Sequence, residues 1–186
     1  MTMQDTHVSL AHGNGGRYMR ELIHEIFARH LANPLLDTES DAAVLPWNAA
    51  DGELAFTTDS FIVQHIEFPG GNNGSLAVHG TTNDLAVAGA VPKYLSLGVL
   101  LEEGLEFAVL ERVVAGIAQA AKEIGVVVAA GDTKVVRRGE GGGMGRRQAA
   151  APGYGCASSG SRRVTTGRPS TRPTYHTAPS GATETP

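Results

Sequence analysis

Cysteine is almost absent from this sequence: Cys156 is the single cysteine among 186 residues. A lone thiol excludes an intramolecular disulfide and a thiolate cluster for zinc. Apolar runs approaching 18 residues are absent too, so we predict no membrane-spanning helix. The N-terminal residues lack a basic stretch followed by an apolar one, and no secretory signal is therefore expected. These absences predict a cytoplasmic globular protein of one domain or slightly more.

Basic residues are scarce in the first part of the chain. Residues 1–136 carry 7 Lys and Arg against 17 Asp and Glu, a net charge of −10, whereas residues 137–186 carry 8 against 2, a net of +6. The second part is rich in Gly, Ser, Thr, Pro, Ala and Arg without helical or strand periodicity, and burial of such side chains cannot offset the lost chain entropy. We predict a folded domain over residues 1–138 and a disordered low-complexity tail over residues 139–186. The tail has no nucleic-acid-binding motif, and we predict no nucleic-acid partner.

Apolar periodicity predicts alternating helices and strands in the acidic part. Helices are expected at residues 17–32, 74–90 and 106–124, the last ended by Gly125 in the left-handed conformation. The alternation favours a mixed α/β or α+β class. Strands are expected at residues 43–46, 53–59, 61–64, 93–101 and 126–130.

Four aspartates occur in similar surroundings. Asp41 opens the apolar string "DAAVL", Asp59 and Asp132 end apolar strands, and Asp84 follows Asn83 in a helix of small residues. Carboxylates at strand ends can project into a crevice, and Mg²⁺ prefers oxygen ligands together with nucleotide phosphates. Any one of these aspartates could instead cap a helix or a turn. The four together favour a site for Mg²⁺ and a nucleotide.

A glycine-rich string, "AHGNGGR", stands directly before the first predicted helix. Backbone amides of such a loop and the helix dipole can bind phosphate, although the spacing matches neither the Walker A nor the dinucleotide motif, and the loop could be a simple turn. His12 within it is a candidate phosphate neighbour or a solvated side chain. The later string "GDTK" places Thr133 and Lys134 beside Asp132, a group suited to phosphate and metal.

These motifs, in their order and spacing, resemble the family of the hydrogenase expression/formation protein HypE. The matching strings are "LAHGNGGR", "DAAVL", "FTTDSFIV", "HGTTNDLAVAGAVPKYLSLGVLLEEGL" and "GDTKVV". The superfamily includes aminoimidazole ribonucleotide synthetase, selenophosphate synthetase and thiamine-monophosphate kinase. Over residues 8–138 the resemblance implies an α+β, PurM-like N-terminal ATP-binding domain, with a mixed sheet flanked by helices that pairs with a second copy into a homodimer.

The resemblance also implies an activity and partners. HypE-type proteins use ATP to dehydrate a carbamoylated C-terminal cysteine to a thiocyanate, which supplies the cyanide ligand of iron in [NiFe]-hydrogenase. The carbamoyl group comes from the carbamoyltransferase HypF, and the cyanide passes to the HypC–HypD complex. The implied catalytic residues are Asp84 and Lys134. The implied ATP contacts are Gly13, Asn14, Gly15, Gly16, Thr58, Asn83 and Thr133, and the implied Mg²⁺ ligands are Asp41, Asp59, Asp84 and Asp132.

The resemblance stops near residue 138, which predicts a truncation or a shift of reading frame. On that interpretation Cys156 is not the family's acceptor cysteine and has no catalytic role. Two other classes remain open: a non-catalytic ATP-binding or dimerisation module, and another enzyme of the superfamily. A selenophosphate synthetase would need a cysteine or selenocysteine near the N-terminus, and a thiamine-monophosphate kinase would usually show adjacent acids where this chain reads "SDAA".

Overall fold

The computed structural model describes residues 5–40, 42–48, 52–61, 63, 65–140 and, for the backbone, 154–162. A four-stranded sheet and the helices packed on it make up most of this part. The strands are β1 (Glu53–Phe61), β2 (Glu67–Phe68), β3 (Gly71–Asn72), β4 (Val91–Glu102), β5 (Val127–Val136) and β6 (Tyr154–Arg162). The helices are a 3₁₀ turn (Leu10–Gly13), α1 (Arg17–Leu22), a π-helical segment (Ile23–Ala28), α2 (Arg29–Leu31), α3 (Asn73–Val87) and α4 (Phe107–Ile124).

The sheet has the strand order β1-β6-β4-β5, and β2 and β3 form a separate antiparallel pair. Strand β6 is antiparallel to both β1 and β4, whereas β4 and β5 are parallel. Strands β1, β4 and β5 therefore run in one direction, and β1 and β5 are the two edge strands of the sheet. This arrangement agrees with the predicted mixed α+β class.

Strand β6 departs from the prediction that residues 139–186 lack regular structure. Its nine residues pair along their whole length with β1 and with most of β4. Periodicity could not predict this strand, because a strand bonded on both sides is held by its backbone N–H and C=O groups whatever its composition. The remainder of the predicted tail beyond Glu140 lies outside the described residues.

Helix α4 matches its sequence pattern closely. Leu110, Val114 and Ile117 are completely buried, and Gly125 ends the helix with φ = +82°, as predicted. Helix α3 packs tightly against it: a Cβ on Gly74 would collide with the main-chain oxygen of Val113. Glycine at this position therefore allows the two helices to approach backbone to backbone. The predicted helix at residues 74–90 is confirmed as Asn73–Val87.

The first predicted helix is confirmed over residues 17–31, with a π-helical segment in its middle. Its buried stripe consists of Leu22, Ile26, Phe27 and Leu31, as the periodicity predicts. Helical spacing would also place Tyr18 on this stripe, but its side chain is half-exposed and packs edge-on against the ring of His12. The buried stripe therefore starts at Leu22, one turn after Tyr18.

The predicted strand at residues 43–46 is absent from the described part of the chain. Pro46 has no N–H to give to a ladder, and its carbonyl oxygen instead accepts a hydrogen bond from Tyr94 Oη at 3.4 Å. For the predicted strand at 61–64, residues 62 and 64 lie outside the described residues, and Phe61 is the last residue of β1.

An exposed ion pair connects β2 with α4. The Arg112 guanidinium donates Nε–H and Nη2–H to the two carboxylate oxygens of Glu67 at 2.7 and 2.8 Å. These bonds lower the pKa of Glu67 and raise the pKa of Arg112.

Among the helices that the structure describes, none combines the length and the apolar character that crossing a membrane demands.

Candidate functional site

The end of β5 presents a carboxylate and an ammonium group side by side. Lys134 Nζ donates to Asp132 Oδ1 at 3.0 Å, and both side chains are 66% exposed. Thr133 between them is buried, because alternate residues of a strand point to opposite faces of the sheet. The exposed pair can exchange its mutual contact for a ligand that carries phosphate and a divalent cation.

The glycine-rich loop lies against the same strand, one residue beyond Lys134. A Cβ on Gly13 would come within 2.8 Å of Val135 Cβ, so glycine allows the loop to rest against β5. Gly15 has φ = +71°, which glycine adopts without strain, and Gly16 is the N-cap residue of α1. The structure thus brings the loop to the strand that carries Asp132 and Lys134, although the Val135 side chain that it contacts points to the opposite face of the sheet from this pair.

A second group of predicted residues lies on β1 and α3. Asp59, half-buried near the end of β1, accepts a hydrogen bond from the Ser60 amide at 2.7 Å. Asn83 and Asp84 are exposed near the C-terminal end of α3, and Thr58 is exposed on β1. Helix α3 contacts β1 where Gly80 faces the Phe61 ring, so its small residues serve this close packing.

The two groups occupy opposite edges of the sheet. Strands β1 and β5 are separated by β6 and β4, which amounts to three inter-strand spacings or about 14 Å. A single metal ion cannot bind carboxylates so far apart. Within the described residues, no three His, Cys, Asp or Glu side chains cluster closely enough to hold a metal ion, and Asp41 lies outside those residues. One copy of the described chain therefore holds the predicted residues in two separate groups, which we name the β5 half-site and the β1–α3 half-site.

A crevice adjoins the β5 half-site. It has a volume of about 160 Å³ and lies between the helix of residues 17–31, residues 36–40 with 42 and 43, and the sheet. Its walls are largely apolar, with Asp37 and Ser40 among the polar exceptions, and it reaches Asp132 and Thr133. Sequence reasoning missed Asp37 and Ser40, because two polar residues in a loop carry no signal of the crevice that they line.

His12 is placed differently from both sequence interpretations. Its side chain is completely buried, and its ring packs edge-on against Phe107 at 5.1 Å between ring centroids. It is neither solvated nor on the exposed part of the loop. The burial signal that could have shown this is the position of His12 directly after "VSLA", a short apolar run that contributes the buried Val8.

Comparison with protein families places this geometry in a known context. A model of the AIR synthase related protein N-terminal domain matches residues 39–146. The chain belongs to this family. The predicted PurM-like domain is thereby confirmed.

Relatives within the AIR synthase related family carry hydrogenase-maturation names. The chain is 48% identical over 144 residues to carbamoyl dehydratase HypE of Azotobacter vinelandii, covering 77% of this chain and 42% of that protein. It is 48% identical over 135 residues to carbamoyl dehydratase HypE of Escherichia coli (strain K12), covering 71% and 40%. The resemblance to HypE is confirmed. The chain spans about two-fifths of the length of these relatives.

Solved structures agree with the sequence comparison. A structure of hydrogenase maturation protein HypE in complex with ATP superimposes with a TM-score of 0.74 at 46% identity, covering 83% of this chain and 43% of that one. A HypE–HypF complex matches with a TM-score of 0.54 at 38% identity, covering 76% and 42%. A thiamine-monophosphate kinase of Stenotrophomonas maltophilia K279a, at 23% identity and a TM-score of 0.52, shares the fold.

Proposed function

We propose that this chain is the ATP-binding part of a HypE-type carbamoyl dehydratase that acts in hydrogenase maturation. The observation that carries the proposal is the Asp132–Lys134 pair on β5, the strand against which the glycine loop rests, in a fold that this chain shares with an ATP-bound HypE. The pair offers a cation for phosphate oxygens and a carboxylate for a phosphate-bound metal. The loop adds backbone amides at the start of a helix.

The proposed reaction removes water from a carbamoylated thiol. The carbamoyl oxygen attacks the γ-phosphorus of ATP, and ADP leaves. The C–O bond then breaks with release of phosphate, while nitrogen loses both protons and a thiocyanate forms. Phosphorylation is needed because phosphate is a much better leaving group than an amide oxygen. The protein's part is to align the γ-phosphate with that oxygen and to neutralise charge, which we assign to Lys134 and the loop amides.

The carboxylates suit Mg²⁺ by their chemistry. Asp59 and Asp84 at one half-site and Asp132 at the other present hard oxygen donors, and all three are at least partly accessible. Mg²⁺ commonly takes one or two protein carboxylates and completes its shell with phosphate oxygens and water. When bound, the ion would neutralise charge on the transferred phosphoryl group. We therefore propose Asp59, Asp84 and Asp132 as ligands, together with Asp41, which lies outside the described residues.

A homodimer would supply what one copy lacks. We propose that two copies pair the outer faces of their sheets, so that the β5 half-site of one lies near the β1–α3 half-site of its partner. The outer face carries exposed apolar side chains, with Leu54 at 58% and Phe56 at 68% exposure. They line an apolar hollow of about 450 Å³ with Trp47 and Tyr94. An exposed apolar patch of this kind on a sheet face is typical of an interface.

Association through this face predicts a specific sensitivity to charge. Phe56→Glu should convert the dimer to a monomer, because burying a carboxylate against an apolar partner surface is costly. Sedimentation velocity at micromolar concentration measures the change. Ala108→Glu adds the same charge at an exposed position of α4 and should leave the dimer intact. A parent chain that sediments as a folded monomer would refute the proposed pairing.

Binding of Mg-ATP should depend on both half-sites. We expect Asp84→Asn and Asp132→Asn each to weaken Mg-ATP binding at least about tenfold, since losing a carboxylate that neutralises the metal removes more than about 1.4 kcal/mol. Isothermal titration calorimetry with the full chain provides the measurement. Glu123→Gln, which removes an equal charge from the exposed side of α4, should bind like the parent. Unchanged affinity in both aspartate variants would show that the assignment of the site is wrong.

The remaining parts of the prediction concern partners and location. A HypE–HypF complex has been solved for a relative, so we propose HypF as the carbamoyl donor to the whole protein. The HypC–HypD complex as cyanide acceptor and a cytoplasmic location stay predictions. A non-catalytic ATP-binding module is the second candidate, because the matched family model describes an N-terminal domain alone. Phosphate release that depends on HypF and carbamoyl phosphate would distinguish the enzyme from the module.

A further inference from the structure

His12 stands at the root of the glycine loop and is completely buried. Its ring is enclosed edge-on by Tyr18 of α1 and by Phe107 of α4, with centroid distances of 5.6 and 5.1 Å. The Ser9 amide donates a hydrogen bond to His12 Nδ1 at 3.1 Å, and Ser9 Oγ lies 2.9 Å from the same nitrogen. His12 thus connects the segment before the loop with two helices of the domain.

The hydrogen bond from Ser9 defines the tautomer of the ring. Because Nδ1 accepts the amide hydrogen, the neutral ring carries its proton on Nε2. Nε2 is buried without a hydrogen bond, and Asp5 Oδ2 lies 3.6 Å from it. A buried imidazole loses the hydrogen bonds that it makes to water, and the bond at Nδ1 compensates for only part of that loss. A phenyl ring would fill the same space without this cost, so simple packing does not account for a histidine here.

The next residue, Gly13, contacts a different element. It lies so close to β5 that a Cβ would approach Val135 Cβ to 2.8 Å. The chain is therefore held at two consecutive residues, by His12 against α1 and α4 and by Gly13 against β5. Beyond this point Asn14, Gly15 and Gly16 are exposed. The position of the exposed loop relative to β5 therefore depends on these two contacts.

We propose that His12 is a positioning residue: its Nδ1 fixes the root of the glycine loop against β5, and thereby places the loop amides for nucleotide phosphates. The placement of the loop amides for phosphate rests on the proposed ATP site. The effect of His12 on the loop itself concerns the unliganded chain and can be measured without nucleotide. Histidine at this position combines an aromatic ring that fills the cavity with an acceptor for the Ser9 amide.

Two substitutions in the 186-residue chain distinguish the roles of the two ring nitrogens of His12. The side-chain oxygen of His12→Asn occupies the place of Nδ1, whereas the side-chain nitrogen of His12→Gln occupies the place of Nε2. We expect amide hydrogen exchange at Ser9 and His12 to be about tenfold faster in His12→Gln than in His12→Asn, because His12→Gln leaves the Ser9 amide without its acceptor. Amides in the centre of α4 serve as the internal reference and should exchange alike.

Nitrogen NMR of the parent and calorimetry complete the test. In the parent we expect the ring proton of His12 on Nε2. In calorimetry we expect the Mg-ATP affinity to fall severalfold in His12→Gln and to stay close to that of the parent in His12→Asn. A proton on Nδ1, or equal exchange at Ser9 in the two variants, would overturn the proposal. If one variant does not fold, Ser9→Ala, which removes only the hydroxyl contact, should keep the tautomer and the slow exchange. A parent that binds no Mg-ATP while the exchange pattern appears would refute the ATP site and leave the positioning role supported.

Discussion

Replacement of Ser158 by proline is expected to destabilise the domain by at least about 1–3 kcal/mol, or to prevent folding, because a carbonyl of a neighbouring strand loses its donor. Ser158 lies in the middle of β6, where it is paired with Thr57 of β1 and with Leu95 of β4. Proline has no N–H and cannot donate to a neighbouring strand, and it is found almost exclusively at edges or bulges of sheets. A position in the centre of the sheet is therefore among those that tolerate proline least. Urea unfolding followed by circular dichroism measures the loss.

Ser158→Ala is the matched control for this experiment. It keeps every backbone donor and acceptor of β6, and we expect its unfolding midpoint to stay close to that of the parent. If the proline variant is as stable as the alanine variant, then β6 does not contribute to the sheet in solution. The comparison therefore tests whether a segment of such polar composition completes the fold through its backbone.

Replacement of Gly74 by alanine is expected to be the second large effect. In a free helix this change would be favourable by up to about 1 kcal/mol, because alanine has the higher helix propensity. Here the added Cβ would collide with the main-chain oxygen of Val113 and with the Ile117 side chain. A backbone atom in α4 cannot move without displacing its helix, so overpacking should reverse the sign and cost about 1–3 kcal/mol.

Two other glycines calibrate this result. Gly16→Ala places its Cβ in open space, and we expect little change in the unfolding midpoint. Gly80→Ala meets the Phe61 ring, a side chain that can shift, and should cost less than Gly74→Ala. Thermal unfolding of the three variants in parallel gives the order. A Gly74→Ala variant more stable than the parent would show that α3 and α4 are farther apart than described.

The fold could be predicted from sequence wherever local patterns determine it. Helix α4 follows from its apolar period and from Gly125, and both were confirmed. Strand β6 could not be predicted, because its pairing depends on the open backbone edges of β1 and β4 rather than on its own residues. The two-residue strands β2 and β3 were missed for a similar reason, since they are too short to show a period.

The site was predictable in its residues but not in its arrangement. The motifs led to Asp132, Lys134 and the glycine loop, and the structure places the pair and the contact of the loop on one strand, β5. The motifs could not show that Asp59 and Asp84 belong to the opposite edge, because strand order is not a property of local sequence. The burial of His12 had only a weak local signal in the residues before it, since it also depends on Phe107, which is 95 positions away in the chain.

The central place of β6 has a consequence for the order of folding. Strand β1 leaves the ribosome early, yet its hydrogen-bonding neighbour lies about a hundred residues later in the chain. Until residues 154–162 have been synthesised, the partner-facing edges of β1 and β4 stay open, and such edges readily pair with other chains. Helices α3 and α4 can form earlier, because their contacts are closer in sequence. A nascent chain halted at the end of β5 would therefore have formed its helices but not the complete four-stranded sheet. We expect it to be most prone to aggregation at that length.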